Sequence, residues 1–356
     1  MILISVGAAP GALAIPTIVR ELADAGQRAE VILGPQARRF VGPAAFVGAT
    51  LVEQPSETPG AALYAPATAE TLARLARGLD RCAGALRVVA PDLDAGTAEH
   101  PAVRKNLSLL RKDGYRVVEY PGGGMADPES IVAKLLGGLG GPMEGVRLLV
   151  TAGGTREPID NVRFIGNRSS GKMGLAVARE ALRRGADVTV VSANLGVVEP
   201  GTESHSVQSA GELRDAVVDL AAEADALVMA AAVSDFTPAS PVGEKLRRRE
   251  GTTSLDLVPT DDILASVTER YPDLFVVGFA ATHGDPLEDA RDKLGRKGAD
   301  LVVGNDISGE GVGFGADENE VYVVGREEEH FVPRASKLEV AGIILDAMMN
   351  EMERQR

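Results

Sequence analysis

Tryptophan is absent from this 356-residue chain, cysteine occurs once, at Cys82, and aromatic residues make up only 4%. A single thiol excludes an internal disulfide and a multi-cysteine zinc site. So few aromatics argue against a base-stacking platform for nucleic acid. Histidine is scarce too: His100, His205, His283 and His330 are the only four, and no two have metal-ligand spacing. Positive charge is outnumbered, 37 basic against 51 acidic residues, and a net charge of −14 counts against non-specific nucleic-acid binding. The longest apolar stretches, such as Leu227–Val233 and Leu148–Val150, are far short of the roughly 18 residues of a membrane helix. No membrane or nucleic-acid partner is therefore expected. Met1-Ile2-Leu3-Ile4-Ser5 has no basic region or cleavage pattern, so it reads as a first strand rather than a signal peptide, and a cytoplasmic location is expected. What remains is ordinary for a folded protein, 45% hydrophobic and 25% charged, at a length that suggests two domains.

Glycine and proline crowd between Leu136 and Gly145, a density that cannot continue a helix. We divide the chain there, into residues 1–138, a linker 139–145 and residues 146–356. Before the break, strand-like Ile2–Val6, Ala29–Leu33, Arg87–Ala90 and Arg116–Glu119 alternate with helical patterns over Pro16–Ala25, Ala69–Leu79 and Val103–Lys112. After it, Val146–Thr151, Asp187–Ser192, Ala226–Ala231, Phe275–Phe279 and Asp300–Gly304 read as strands. Ser170–Arg184, Pro286–Lys297 and Lys337–Glu353 read as helices, and Glu320–Val324 with His330–Val332 as an edge hairpin. Such alternation predicts α/β architecture: two doubly wound, Rossmann-like domains with sites at the carboxyl ends of their strands.

The second half carries the chemistry. Residues 150–174 run from a strand ending in Gly153-Gly154, through a polar loop, to a helix with Ser169 or Ser170 as its cap. Backbone amides there, with Arg163, Arg168 and Lys172, would make an anion cradle. A Gly-Gly turn alone is weak evidence, since most such turns only pack helix on strand. At Ala230–Phe236, small residues at a strand end let a ligand approach the backbone, and Asp235 offers a carboxylate; plain capping is the bland reading. Glu244–Arg249 is the densest positive run, though such runs are usually solvated. Lys293 and Lys297, four apart on one helix, share a face and repel unless an anion lies between them. Together these elements suit a nucleoside triphosphate with its divalent cation.

The second half resembles the phosphopantothenate–cysteine ligase family of coenzyme A biosynthesis. The matching text is TAGGTREPID, VRFI, NRSSGKMG, AAAVSDF, EKL, VGFAAT, GNDIS and GFGADENEV, in that order. The resemblance implies a CTP-dependent ligation of 4′-phosphopantothenate with cysteine through an acyl-cytidylate, with Mg2+ or Mn2+ accompanying CTP. It implies that Asn167 holds the acyl-cytidylate, Arg163 contacts the pantothenate part, and Lys245 closes over the reacting phosphate. Ala230, Ala231, Asp235, Lys245, Asp262, Ile263, Phe279, Lys293 and Lys297 would bind nucleotide, Asp235 also meeting the metal. The Ser234–Thr260 excursion would be a dimerisation arm, with strand-like Thr252–Val258 carrying Leu255 and Leu257 on one face. Higher assembly through the first half is a further possibility.

Departures stand beside the matches. The family's usual Lys-Asn-Pro-Asp-Ile is Pro259-Thr260-Asp261-Asp262-Ile263 here; His283 replaces a common glutamate, and Arg247 a common lysine. The first half resembles, more distantly, the flavin-dependent phosphopantothenoylcysteine decarboxylase, a flavodoxin-like fold, around Tyr64–Gly78 and Ala90–Leu107. Its chemistry is missing. No histidine precedes His100, the family's Pro-Ala-Met-Asn is Pro91-Asp92-Leu93-Asp94, and Tyr120–Met125 runs on without a cysteine-bearing flap. Glu70 places a carboxylate near a flavin phosphate. These departures count against FMN and decarboxylation in this half. Two rivals to the ligase stay open: a paralogue joining another carboxylate and amine, and a non-catalytic regulatory homologue.

Overall fold

In the computed structural model, apolar runs and helix caps build two separate compact units, and residues 1–79, 86–120, 122–196, 198–245, 254–308 and 315–355 are described. Cys82, the basic run Arg247–Arg249 and the start of the expected strand Thr252–Val258 lie outside the described residues. The first unit takes in Met1–Glu144, Leu182–Gly185 and Glu199–Gly201; the second holds Gly145–Ala181, Ala186–Val198 and Thr202–Arg356.

The first unit contains β1 (Ile2–Val6), α1 (Ile15–Asp24), β2 (Ala29–Leu33), β3 (Ala49–Leu51), β4 (Ala61–Ala67) and α2 (Ala69–Leu75). It continues with β5 (Leu86–Pro91), α3 (Ala95–Glu99), α4 (Pro101–Lys112), β6 (Arg116–Val117) and α5 (Pro128–Gly137). Among the described residues these strands form one parallel sheet in the order β3-β2-β1-β4-β5-β6. Without the short edge strand β3, this is the flavodoxin-like order. Helix α1 forms because Ile15, Ile18, Val19 and Leu22 recur on one face, and all four are buried against the sheet. Thr68, Asp94 and Asp127 cap α2, α3 and α5 by accepting amide N–H bonds. Alanine-rich β4, with Pro66 inside it, breaks the usual strand composition, yet every residue of it is buried at the sheet centre. Helix α5 runs to Gly137, one residue into the segment read as helix-breaking.

The second unit contains β7 (Arg147–Gly153), β8 (Arg156–Pro158), β9 (Phe164–Gly166), α6 (Lys172–Arg183), β10 (Asp187–Ala193), β11 (Glu203–Val207) and α7 (Ala210–Ala221). Then come β12 (Ala226–Met229), β13 (Phe236–Pro238), β14 (Leu257–Pro259), α8 (Ile263–Arg270), β15 (Phe275–Thr282) and α9 (Pro286–Lys297). The chain closes with β16 (Leu301–Asp306), β17 (Glu318–Gly325), β18 (Glu329–Ser336) and α10 (Lys337–Gln355). The main sheet runs β11-β10-β7-β12-β15-β16-β17-β18, parallel up to β16 and antiparallel beyond it. The chain reverses its winding between β7 and β12, which puts a ligand crevice at the carboxyl ends of those strands. The pairs β8–β9 and β13–β14 form small sheets of their own, apart from the main one. Of the expected strand Thr252–Val258, residues 254–256 are not strand, and β14 covers only Leu257–Pro259.

Candidate functional site

Two threonines set the geometry of the crevice. Thr151, buried within β7, accepts the Ala231 N–H at 3.0 Å; Thr155, fully buried, accepts the Ser234 N–H at 2.9 Å. The Ala232 amide donates to Gly153 at 2.8 Å, and the Thr155 amide returns a bond to Ala232 at 3.2 Å. The segment leaving β12 is thus strapped to the end of β7. Gly153 has φ 95°, and a Cβ there would lie 2.1 Å from the Ala193 carbonyl oxygen, so only glycine fits. Asn167 joins this strap: its Nδ2 donates to the Val233 carbonyl at 2.7 Å.

Asp235 follows, exposed at the mouth of the crevice. Thr260 pulls the return strand of the hairpin toward it, donating its amide to the Asp235 carbonyl at 3.0 Å and its hydroxyl to the Ser234 carbonyl at 2.6 Å. That delivers Asp262 to the same place, where its Oδ1 caps α8 by accepting the Ala265 N–H at 3.1 Å. Asp262 Oδ2 accepts the Lys297 ammonium in an ion pair. Lys293, one turn earlier on α9, donates to the Phe279 carbonyl, within β15. Burial and the neighbouring Lys297 push Lys293 below the ordinary lysine value, while Asp262 and Asp235 pull the other way. Burial alone would raise Asp262, but the Lys297 bond, the Ala265 amide and both lysine charges outweigh it and hold the carboxyl below its usual range. Asp235, Asp262, Phe279, Lys293 and Lys297 therefore form one constellation, with Asn167 tied to the loop that carries Asp235.

The remaining expected residues have surroundings of their own. Lys172, read as part of an anion cradle, donates to Asp317 at 2.6 Å and to the Gly315 carbonyl at 3.0 Å. Helix α6 starts at Lys172, so Ser169 and Ser170 are not its cap; Ser169 Oγ accepts the Gly171 amide at 3.3 Å, and Gly171 adopts φ 72°. Arg163 pairs with the buried carboxylate of Asp160 at 3.2 Å, beside a cavity of about 750 Å³ that opens between Arg156, Phe164 and Gly211. The side chain of Ile263 packs into the core with Leu264 and Val267, which leaves its backbone as the part that could meet a nucleotide. The amide of Ala231 is already used by Thr151. Arg168 and Lys245 are exposed. His283 lies close enough to Asp306 to lower its carboxyl, after the stronger bonds from Ser308.

The sequence reading missed Thr151, Thr155 and Arg214. Arg214 pairs with Asp215 and with Asp261, offsetting the extra negative charge that Asp261 brings beside the site. Nothing local marks Arg214, which lies on α7, 47 residues from its partner. The threonines did carry a signal: hydroxyls flanking Gly153-Gly154 at a strand end are placed to take backbone donors. Among the described residues, no group of three or more His, Cys, Asp or Glu could hold a metal ion. Nor is any described helix long and apolar enough to cross a membrane.

Residues 143–352 match the family model for the DNA/pantothenate metabolism flavoprotein C-terminal domain. Over 386 residues the chain is 39% identical to the coenzyme A biosynthesis bifunctional protein CoaBC of Mycobacterium tuberculosis strain H37Rv, covering 94% of this chain and 92% of the relative. The chain belongs to this family. CoaBC of Bacillus subtilis is 34% identical over 370 residues, with 92% of this chain and 91% of the relative covered. The crystal structure of the C-terminal domain of a CoaBC superposes with a TM-score of 0.52 at 33% identity, covering 60% of this chain and 98% of that domain. The family assignment and the Rossmann-like α/β fold expected from the sequence are thereby established.

Proposed function

We propose that the second unit joins 4′-phosphopantothenate to cysteine at the expense of CTP, in coenzyme A biosynthesis, and that the first unit no longer decarboxylates the product. The observation that carries the reading is the pair Lys293 and Lys297, converging with Asp262 and Asp235 at the carboxyl ends of β12 and β15, beside Asn167. Two ammonium groups held close together, one of them half-buried on a backbone carbonyl, suit a triphosphate. On this reading the substrate carboxylate oxygen attacks the α-phosphorus, a P–O bond to the β-phosphate breaks, and pyrophosphate leaves. The cysteine amine then attacks the acyl carbon, CMP departs, and the amine proton passes to solvent. Lys293 and Lys297 hold the phosphates, and Lys245 meets the charge that develops at the attacked phosphorus. The second N–H of Asn167, beyond the one given to Val233, donates to the acyl-nucleotidylate. Asp235 would hold Mg2+ or Mn2+ jointly with the triphosphate oxygens, since among the described residues no two further ligating side chains join it; the ion would supply charge neutralisation.

A homodimer through the β13–β14 arm belongs to the same proposal. Phe236, Leu255, Leu257 and Val258 are each more than two-fifths exposed on this arm, which pairs with no strand of the main sheet. An apolar two-stranded unit is marginal unless something covers it. We place the enzyme in the cytoplasm. A second reading, a paralogue using the same chemistry on another acid and amine, is favoured by Pro259 and Asp261, which remove one positive charge and add a negative one. Pyrophosphate release decides between them, measured with CTP or ATP, across phosphopantothenate and pantothenate, with and without cysteine. Release requiring phosphopantothenate and CTP, with amide formed only when cysteine is present, is expected. Turnover absent with every pair, or present only with other substrates, overturns the reading.

A further inference from the structure

In a doubly wound sheet the phosphate of a bound nucleotide or flavin rests on amides of the turn after the first strand, at the winding switch. In the first unit that switch lies between β1 and β4. The place is filled by the chain itself. The Gly11 amide, in the turn after β1, donates to Asp92 Oδ2 at 2.7 Å. A Cβ at Gly11 would lie 2.9 Å from that oxygen and 3.0 Å from Met125 Sδ, so the amide is enclosed as well as bonded. At Gly7 a Cβ would come 2.0 Å from the Pro66 carbonyl oxygen, which shows the ends of β1 and β4 in direct contact. The segment after β6 lies across the next loop: the Gly124 amide donates to the Leu93 carbonyl at 2.6 Å, and a Cβ at Gly123 would lie 3.1 Å from the Ala95 amide. The neighbouring helix starts are served likewise, Thr71 by the Thr68 hydroxyl and Thr97 by Asp94. Asp92, Asp94 and Glu70 give this edge three carboxylates. The residues do not fit a flavin phosphate.

We propose that Asp92 is a built-in anion: its carboxylate takes the position of a ligand phosphate on Gly11 and closes the first unit to FMN. This deepens the reading of that unit as having lost decarboxylation, and it names the residue that does the excluding. A carboxylate accepting a backbone N–H makes the charge-assisted bond a phosphate oxygen would make. The test uses the full chain, wild type, Asp92→Asn and Asp92→Ala. Wild type titrated with FMN should leave flavin fluorescence unquenched and retain no flavin on gel filtration. Asp92→Asn keeps an acceptor for Gly11 and should melt close to wild type. Asp92→Ala should melt several degrees lower, and inorganic phosphate should raise its midpoint by more than it raises that of wild type, because only this variant offers an empty amide. Saturable flavin quenching by wild type overturns the proposal. So do equal phosphate shifts in wild type and Asp92→Ala. Should Asp92→Ala fail to fold, the wild-type titration and the Asp92→Asn midpoint still decide. Pyrophosphate release followed on the same samples reports the ligase reading separately, since Asp92 belongs to the other unit.

Discussion

Lys297 and Asp262 offer the sharpest test of the nucleotide site, because the carboxylate that steadies the lysine also stands in the way of an anion. Their ion pair is partly exposed, with 28% and 41% of the two side chains accessible, so breaking it should cost the fold less than about 1 kcal/mol. The effect on nucleotide should be larger. Lys297→Ala removes a charge-assisted hydrogen bond to phosphate, about 1.5–3 kcal/mol, which raises the apparent KM for CTP about ten- to a hundredfold. It also leaves Asp262 unpaired beside the triphosphate, a screened repulsion on the order of 1 kcal/mol. Adding Asp262→Asn should relieve that part, because asparagine keeps the α8 cap while losing the charge. The double variant should therefore recover about fivefold in KM relative to Lys297→Ala, and Asp262→Asn alone should not raise KM. Steady-state pyrophosphate release at varied CTP measures all four corners of the cycle. A double variant no better than Lys297→Ala refutes the placement of Lys297 on the phosphates with Asp262 beside them.

Asn167→Asp forfeits the bond to Val233 and sets a carboxylate against that carbonyl and against the acyl phosphate, so amide formation should fall by about a hundredfold or more; unchanged turnover contradicts this. Lys293→Ala should mainly raise KM and Lys245→Ala mainly lower kcat, and the reverse split removes these roles. Because burial lowers Lys293, its ammonium is lost as pH rises through a value below the ordinary 10.5, so KM for CTP should climb from there in wild type and stay flatter in Lys293→Ala; identical KM profiles for the two proteins speak against it. Replacing Leu255 and Leu257 with charged residues should halve the mass seen by light scattering; a mass equal to wild type, with ligation intact, means the arm is not the interface.

Periodicity marked the elements whose burial is one-sided or continuous: β2 and α9 lie where it placed them, Ala29–Leu33 and Pro286–Lys297. It passed over β4, where alanine and Pro66 give no strand signature, because burial between two layers decides the matter rather than propensity. It also missed β11, α7 and α8. Strand β11 carries Glu203, Ser204 and Ser206 at the edge of the sheet, and a partly exposed edge lacks a hydrophobic run. The lysine pair on α9 was legible from its spacing of four. That Asp262 would bind one of those lysines was not, since 35 residues separate them. The ion pair of Lys172 was not legible for the same reason: its partner Asp317 is 145 residues away.

The place of β7 in its sheet governs how this unit can be assembled as the chain emerges. Strand β7 lies between β10 and β12, and its ion pair to the far neighbour, Arg147 to Asp225, joins residues 78 apart. Translation therefore delivers one flank of the central strand well before the other, and leaves the second ladder waiting while α6, β10, β11 and α7 are made. Loop closure over such a span is entropically costly, and parallel pairings of this kind form late. During that interval the β12-facing side of β7, Leu148 to Thr151, is an unpaired edge, apolar from Leu148 to Val150. A nascent chain stalled between residues 193 and 226 would expose it, and chaperone capture or aggregation should peak over that window.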